Sequence, residues 1–353
     1  MSITHRISAF HDLGQFFNFV TKKDKTTQES SDKFKNLQSD FEAVLHWAEI
    51  KNPWFTPDNL HYCLSQWGAL LTIENLNNWQ ENLHSPTTPK TIGIIMAGNI
   101  PLVGLHDLLA VLIAGHHAMV KTSSKDDALM GFVLNFLKNH SEDLDQAISK
   151  VERIQQQDAV IATGSDNTAR YFEFYFKDIP HIIRKNRTSV AVLNGEETEE
   201  DLKNLARDIF QYFGLGCRNV TQLYLPEGFN LDLIFESFFE WKEVINHHKY
   251  ANNYDYNRTI YLMSKEEFFD NNFILLKNSN AIYSPIGVVN FVYYDDLNEV
   301  KNTLDQNQSM LQCIVGNALN QYPNSVKFGQ TQQPTLIDYA DGIDVLAFLK
   351  ELN

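Results

Sequence analysis

Cys217 stands where its residue type and surroundings could carry out nucleophilic chemistry. It follows Gly214-Leu215-Gly216 and directly precedes the apolar run 220–225. A thiolate is a strong nucleophile, and Arg218 beside it could lower the thiol pKa. The two glycines would let the backbone turn sharply and approach a ligand. The competing reading is a small buried apolar residue at a tight turn. Asn99 closes the apolar run 91–97 and precedes Ile100-Pro101. Its amide could donate to an oxyanion, or it could cap the helix that follows. Lys121 closes a second such run and opens Lys121-Thr122-Ser123-Ser124-Lys125, and Thr163-Gly164-Ser165 closes a third. Cations and hydroxyls at such turns suit a phosphate or ribose; they would equally serve as solvated strand ends with Ser as a helix cap. Three successive strand ends of this kind point to a nucleotide.

The elements that must position these residues can be read from hydropathy. The spacing of Phe41, Val44, Leu45 and Ala48 predicts a helix over 40–49, and Pro53, Pro57 and the polar stretch Ser85 to Lys90 act as breakers. From Thr91 short apolar runs (91–97, 117–121, 158–162) alternate with helical segments (102–114, 126–137, 166–176). That alternation implies a parallel, doubly wound α/β domain that binds ligands at the C-terminal ends of its strands. A second α/β segment follows, with strands at 188–193, 220–225 and 286–293 and helices at 196–212, 297–304 and about 341–349. The stretch 180–187 is the expected junction. The domain division is therefore 1–186 for N-terminal helices and the dinucleotide-binding domain, with 334–353 packing on it, and 187–333 for the catalytic domain.

Composition narrows the class. The chain has 353 residues, 43% of them hydrophobic, too many for a disordered polymer and enough for a large core. Its 29 Lys+Arg against 44 Asp+Glu give a formal charge of −15, which argues against general nucleic-acid binding. The three cysteines show no CxxC spacing, as expected of a reducing, cytoplasmic setting; Cys63 and Cys313 read as core. Residues 1–10 lack an apolar signal core, so secretion is not expected. The longest apolar stretch, Ile100 to Ala114, contains His106 and Asp107 and is too short to span a bilayer. His116-His117 and His247-His248 lack further ligands at metal spacing, and as strand neighbours would face opposite sides, so no metal is expected. The aromatic runs 172–176 and 235–241 read as packing rather than an acyl tunnel.

Taken in order, Ile-Met-Ala-Gly-Asn99-Ile-Pro-Leu, Ala-Met-Val-Lys121, Ile-Ala-Thr-Gly-Ser165 and Gly-Leu-Gly-Cys217 resemble the motifs of the aldehyde dehydrogenase superfamily. With the tail 328–344 and the segment His248 to Arg258, the chain is similar to the acyl-CoA reductases, the fatty-acid reductase family of bacterial bioluminescence. The resemblance implies an aldehyde-dehydrogenase-like fold, with Cys217 as nucleophile and Asn99 with the Cys217 N–H as oxyanion hole. It also implies cofactor contacts at Lys121, Ser123, Ser124, Lys125, Thr163, Gly164 and Ser165. The Glu that activates water in hydrolytic members would fall at Arg184, 33 positions before Cys217. A cation cannot act as that base, so the acyl group should pass to or from a thiol. The Glu that holds the nicotinamide ribose falls at about Tyr283. Ser124 and Lys125 replace an acidic residue that disfavours a 2′-phosphate, so NADPH is the expected cofactor. The expected substrate is an acyl-CoA or acyl-carrier thioester, with an acyl-transferring protein as a fitting partner and a monomer or small homo-oligomer as the assembly. The alternatives are a reductase of an acyl phosphate, such as glutamyl phosphate, and a non-catalytic acyl-binding protein on the same fold. Two anionic ligands on an acidic protein call for local cations. Lys121, Lys125, Arg170, Arg184, Lys185, Arg187 and Arg218 are the candidates, with ion pairs between the lobes as their other reading.

Overall fold

The computed structural model describes residues 2–21, 28–81, 83 and 86–352; Met1 and Ser85, the first of the expected breaker residues, lie outside these. The chain divides into two compact units, Met1–Lys185 with Thr335–Asn353, and Asn186–Pro334.

The first unit begins with four helices, α1 (Ile3–Thr21), α2 (Gln28–Lys51), α3 (Pro57–Leu70) and α4 (Ile73–Gln80). There follow β1 (Thr91–Ile95), α5 (Leu105–Ala114), β2 (His117–Lys121), α6 (Asp127–Lys138), α7 (Glu142–Ala147), β3 (Ile148–Lys150), β4 (Ala159–Thr163), α8 (Asp166–Tyr175) and β5 (His181–Arg184). The strands form one all-parallel sheet in the order β3-β2-β1-β4-β5. Helix α5 is apolar on nearly every side and almost wholly buried, as a central covering helix must be. It starts at Leu105 rather than the expected Leu102, because Leu102 adopts a left-handed backbone with φ 54°. β5 lies inside the stretch expected to be a junction: only four residues long, its alternation was too brief to be read. Phe16 gathers Phe34, Phe41, Phe132 and Phe136 around it at 5.1–5.7 Å, which packs the N-terminal helices onto α6.

The second unit holds β6 (Thr188–Val192), α9 (Glu199–Phe210), β7 (Val220–Pro226), α10 (Leu231–Phe238), α11 (His248–Ser264), β8 (Phe269–Asp270), β9 (Leu275–Asn278), β10 (Val288–Tyr294), α12 (Leu297–Gln306), β11 (Leu311–Val315) and β12 (Ser325–Val326). Its sheet runs β12-β11-β6-β7-β10-β9-β8 and is parallel except for the β8–β9 edge pair. α9 is shorter than the expected 196–212. Thr198 and Asp201 form a reciprocal capping box at its start. Glu197 instead accepts the Asn194 and Gly195 N–H groups at 2.7 and 3.0 Å. α11 escaped sequence reading because its buried face is built from Tyr250, Tyr254, Asn257 and Tyr261, helically spaced but not aliphatic. The last helix, α13 (Val345–Glu351), is shorter than expected because Asp341 has φ 61°. It returns to the first unit, where the His116 ring bonds Leu349 O at 3.1 Å and Trp79 Nε1 donates to the Tyr339 hydroxyl at 3.0 Å.

The aromatic runs are not uniformly core. Tyr171, Phe174 and Tyr175 on α8 and Phe239 after α10 are each more than half exposed, while Phe238 is buried against Phe210. Among the described residues no helix is long and apolar enough to cross a membrane.

Candidate functional site

The strand order of the first unit sets where a ligand can go. From β1 the chain builds outward through β2 and β3, then returns to place β4 and β5 on the other side. The reversal between β1 and β4 opens a crevice at their C-terminal ends. Asn99 follows β1, Lys121 ends β2 with Ser123, Ser124 and Lys125 after it, and Thr163 ends β4 with Gly164 and Ser165 after it. The structure thus brings these sequence-predicted residues to one edge of one sheet. Gly98 allows two of the turns to touch: a Cβ there would lie 2.5 Å from Ser123 Oγ. Asn99 is not the cap of the following helix, which begins six residues later behind Gly104. Ser165 does cap α8, accepting the Thr168 N–H at 3.4 Å. Lys121, Ser124 and Lys125 are exposed, whereas Thr122 is tied to Asp127, which also pairs with Lys150.

Of the seven expected cations, four are committed elsewhere, each within its own unit. Arg184 and Asp107 are both almost fully buried and joined by two bonds of 2.5 and 2.8 Å. Lys185 pairs with Glu173 at 2.7 Å. Arg187 donates to Leu311 O at 3.0 Å, and Arg218 Nε to Thr331 O at 2.5 Å. Lys121, Lys125 and Arg170 remain exposed.

In the second unit Cys217 lies on the turn that enters β7, partly buried. α9 ends abruptly: Tyr212, Phe213 and Gly214 take successive left-handed conformations, with φ 55°, 57° and 75°. Gly214 does so freely, but the two aromatics do so at a cost of about 1–3 kcal/mol each. Nothing in residue type signals this, and sequence reading missed it. The turn is over-determined by Asn219, which is fully buried. Its amide nitrogen donates to Asp208 O, Ile209 O and Gln211 O at 2.9–3.2 Å, taking up the orphan carbonyls of the helix end. Its Oδ1 accepts the Gly216 N–H at 2.8 Å. Ser189 Oγ donates to Cys217 O at 3.1 Å. The thiol is thus carried on a loop whose backbone is tied on both sides. Below the loop, Asp208 accepts the Gly329 and Thr331 N–H groups and the Thr331 hydroxyl, fixing the segment that receives Arg218. A cavity of about 30 Å³ beside Phe213 and Gly214 is lined by Tyr250, Ile274 and Tyr283 among others. It would hold about one water and no fatty chain. Tyr283 itself is 64% exposed.

The two His pairs sit in different settings. His116 precedes β2; it accepts the Lys90 N–H on Nδ1 and faces Leu349 O with Nε2, so both nitrogens are used and burial lowers its pKa. His247 and His248 open a helix, not a strand, and their rings stack at 5.1 Å.

The family model described as acyl-CoA reductase (LuxC) matches residues 22–233, more than half of the chain. The chain belongs to this acyl-CoA reductase family. Membership makes it an oxidoreductase of the aldehyde-forming, acyl-reducing class. No curated protein matches the sequence. Solved structures with the same fold include an oxidoreductase from Marinobacter aquaeolei (TM-score 0.65, 11% identity, 95% of this chain and 79% of that one). Aldehyde dehydrogenase 21 from Physcomitrella patens, in complex with the reaction product succinate, aligns at TM-score 0.62 and 12% identity over 100% and 84% of the two chains. An acetylating aldehyde dehydrogenase from Geobacillus thermoglucosidasius aligns at 0.61 and 9% over 99% and 90%. At these identities the likeness establishes the fold, an aldehyde-dehydrogenase-like α/β architecture.

Two buried carboxyls in this member of the family have raised pKa values. Burial pushes Asp126 up to about 8 against a bond from the Leu102 N–H, and neighbouring Asp127 adds to the rise. Burial likewise lifts Asp208 to about 6 despite its three donors. A carboxyl raised in the fold binds its proton more tightly there than in the unfolded chain. The stability that Asp126 contributes is therefore full below its ordinary value of 3.8 and is lost as pH rises through about 8. Asp126→Asn should flatten the fall in Tm between pH 6 and 9; an unchanged slope would show that Asp126 does not titrate there.

Proposed function

We propose that this acyl-CoA reductase is an NADPH-dependent enzyme that converts a fatty acyl-CoA, or an equivalent acyl thioester, to the aldehyde through an acyl thioester on Cys217. The observation that carries the reading is the Cys217 turn, a thiol on a loop held by Asn219 and Ser189 and preceded by strained backbone. Strain of this kind persists where surrounding structure over-determines it, and it clusters at functional sites. On this reading the first unit binds the dinucleotide and the second supplies the nucleophile.

The donor set fits an anionic dinucleotide. Lys121 and Lys125 offer exposed cations, Ser123 and Ser124 hydroxyls, and Thr163-Gly164-Ser165 stands at the positive end of α8. When bound, NADPH supplies the hydride. Cys217 attacks the thioester carbonyl, its sulfur–carbon bond forms, and CoA leaves as a thiolate that takes up a proton. Asn99 and the Cys217 N–H are the proposed oxyanion donors. After reduction the carbon–sulfur bond of the resulting thiohemiacetal breaks, releasing the aldehyde and regenerating the thiol. Arg184, held by Asp107, has no capacity to accept a proton from water. On this reading the position at which the resemblance would put the hydrolytic base is held by a residue that cannot be one, which favours transfer of the acyl group to hydride over water.

Incubation with an acyl-CoA in the absence of NADPH should add one acyl mass to the wild type and none to Cys217→Ala. Equal labelling of both, or of neither, overturns the reading. Lys125→Glu should raise the KM for NADPH by about tenfold or more while leaving NADH use little changed, since one charge-assisted phosphate contact is worth about 1.5–3 kcal/mol. Equal effects on both nucleotides would remove Lys125 from a 2′-phosphate site.

A further inference from the structure

Three polar side chains, none of them used in the chemistry above, converge on residues 98–102. Asn52, buried between α2 and α3, donates its amide to Gly98 O at 3.3 Å. Cys63 on α3 donates its thiol to Pro101 O at 3.3 Å. Asp126, buried at the start of α6, accepts the Leu102 N–H at 2.8 Å through Oδ2. These contacts bracket Asn99, one at the residue before it and two at the second and third residues after it.

The last contact is the most constrained. Leu102 is fully buried and left-handed, a conformation that costs a non-glycine residue about 1–2 kcal/mol. Without a partner its buried N–H would add a further penalty. Asp126 removes that penalty and performs no other visible task. It stands at the N-cap of α6 but makes no side-chain capping bond. Its second oxygen, Oδ1, is buried and finds no hydrogen-bond partner among the described residues. A carboxyl buried with a single partner is a poor choice for stability alone.

We propose that Asp126, assisted by Asn52, is a positioning residue for the acylation step: by holding Leu102 in its left-handed turn it fixes the strand-end loop and so aims the Asn99 amide. This rests on the role proposed for Asn99. The N-terminal helices, through Asn52 and Cys63, thereby become part of the apparatus that shapes the loop. The contact needs an acceptor and not a charge, so asparagine should serve in place of Asp126.

The test is the rate at which acyl-CoA labels Cys217, followed by quenched-flow and intact mass, in a double-mutant cycle. Asn99→Ala should slow labelling by about 10²–10³-fold, the usual effect of losing one oxyanion donor. Asp126→Ala should slow it by about 10- to 100-fold, the effect of a misplaced catalytic group, with NADPH affinity little changed. Asp126→Asn should recover most of the rate. The double variant Asn99→Ala/Asp126→Ala should be no slower than Asn99→Ala, because Asp126 acts through Asn99. If Asp126→Ala does not fold, Asn52→Ala enters the same cycle with the same expectation. Wild-type speed in Asp126→Ala, or fully multiplicative losses in the double variant, would overturn the proposal alone. A wild type that gains no label on Cys217 would overturn the nucleophile reading and this proposal with it.

Discussion

Cys217→Ser should lower aldehyde formation from acyl-CoA by about 10³-fold or more while leaving Tm within the range of a neutral substitution. The change is nearly isosteric. The two bonds that shape the turn, Gly216 N–H to Asn219 Oδ1 and Ser189 Oγ to Cys217 O, involve only backbone at this end and survive it. What is lost is the nucleophile. A thiol of ordinary pKa is already a few per cent thiolate at pH 7, whereas a serine hydroxyl needs a base to reach a comparable state. No other cysteine can substitute, since Cys63 and Cys313 are 3% and 1% exposed. Steady-state turnover, burst amplitude and Tm together check the prediction. A serine variant with more than a tenth of wild-type turnover, or acyl label found on Cys63 or Cys313, would move the chemistry away from Cys217.

Asp107→Ala carries the largest expected effect on stability, a loss of about 3–5 kcal/mol. Arg184 and Asp107 are both nearly removed from water and share two short, charge-assisted bonds that link α5 to the edge strand β5. Removing the carboxylate leaves a guanidinium in the core without its counter-charge, and an arginine cannot escape by losing its proton. For a unit of this size such a loss lowers Tm by about 10 °C or more. The pair as a whole is worth far less than its halves, because both charges had to be desolvated. Asp107→Leu with Arg184→Met should therefore recover most of the loss. Urea unfolding of the two single variants and the double variant measures this directly. A loss under about 1 kcal/mol in Asp107→Ala would mean that water reaches the pair.

The strand–helix alternation from Thr91 onward was legible because it depends on local hydropathy period and turn chemistry. The runs at 91–95, 117–121 and 159–163 and the helices between them fall within a few residues of their expected places. Some elements were missed because the signal is weak, such as the four-residue β5 and α11 with its buried face of tyrosines; α10 and the fully buried β11 were missed although their sequences are apolar. The ordered motifs also sufficed to recognise the acyl-CoA reductase family.

The sequence by itself thus determined the fold class, the family and the residue types available for chemistry. Only the tertiary structure decided what each of those residues is free to do. Arg184 read either as a cation for the cofactor or as half of an ion pair between the lobes; the structure gives it an ion pair within its own unit, with Asp107, 77 residues away. Arg218, expected to act on the neighbouring thiol, also directs Nε to Thr331 O, 113 positions away. Asp126 stood in the sequence only as the first residue of an expected helix; the fold buries it against the Leu102 N–H, and burial raises its pKa to about 8. Hydropathy period is a property of neighbours in the chain. Charge compensation and burial depend on contacts between residues far apart in the chain, and those exist only once the sheets have assembled; the left-handed turn at 212–214 is held by nearby Asn219, but through hydrogen bonds that residue type does not announce.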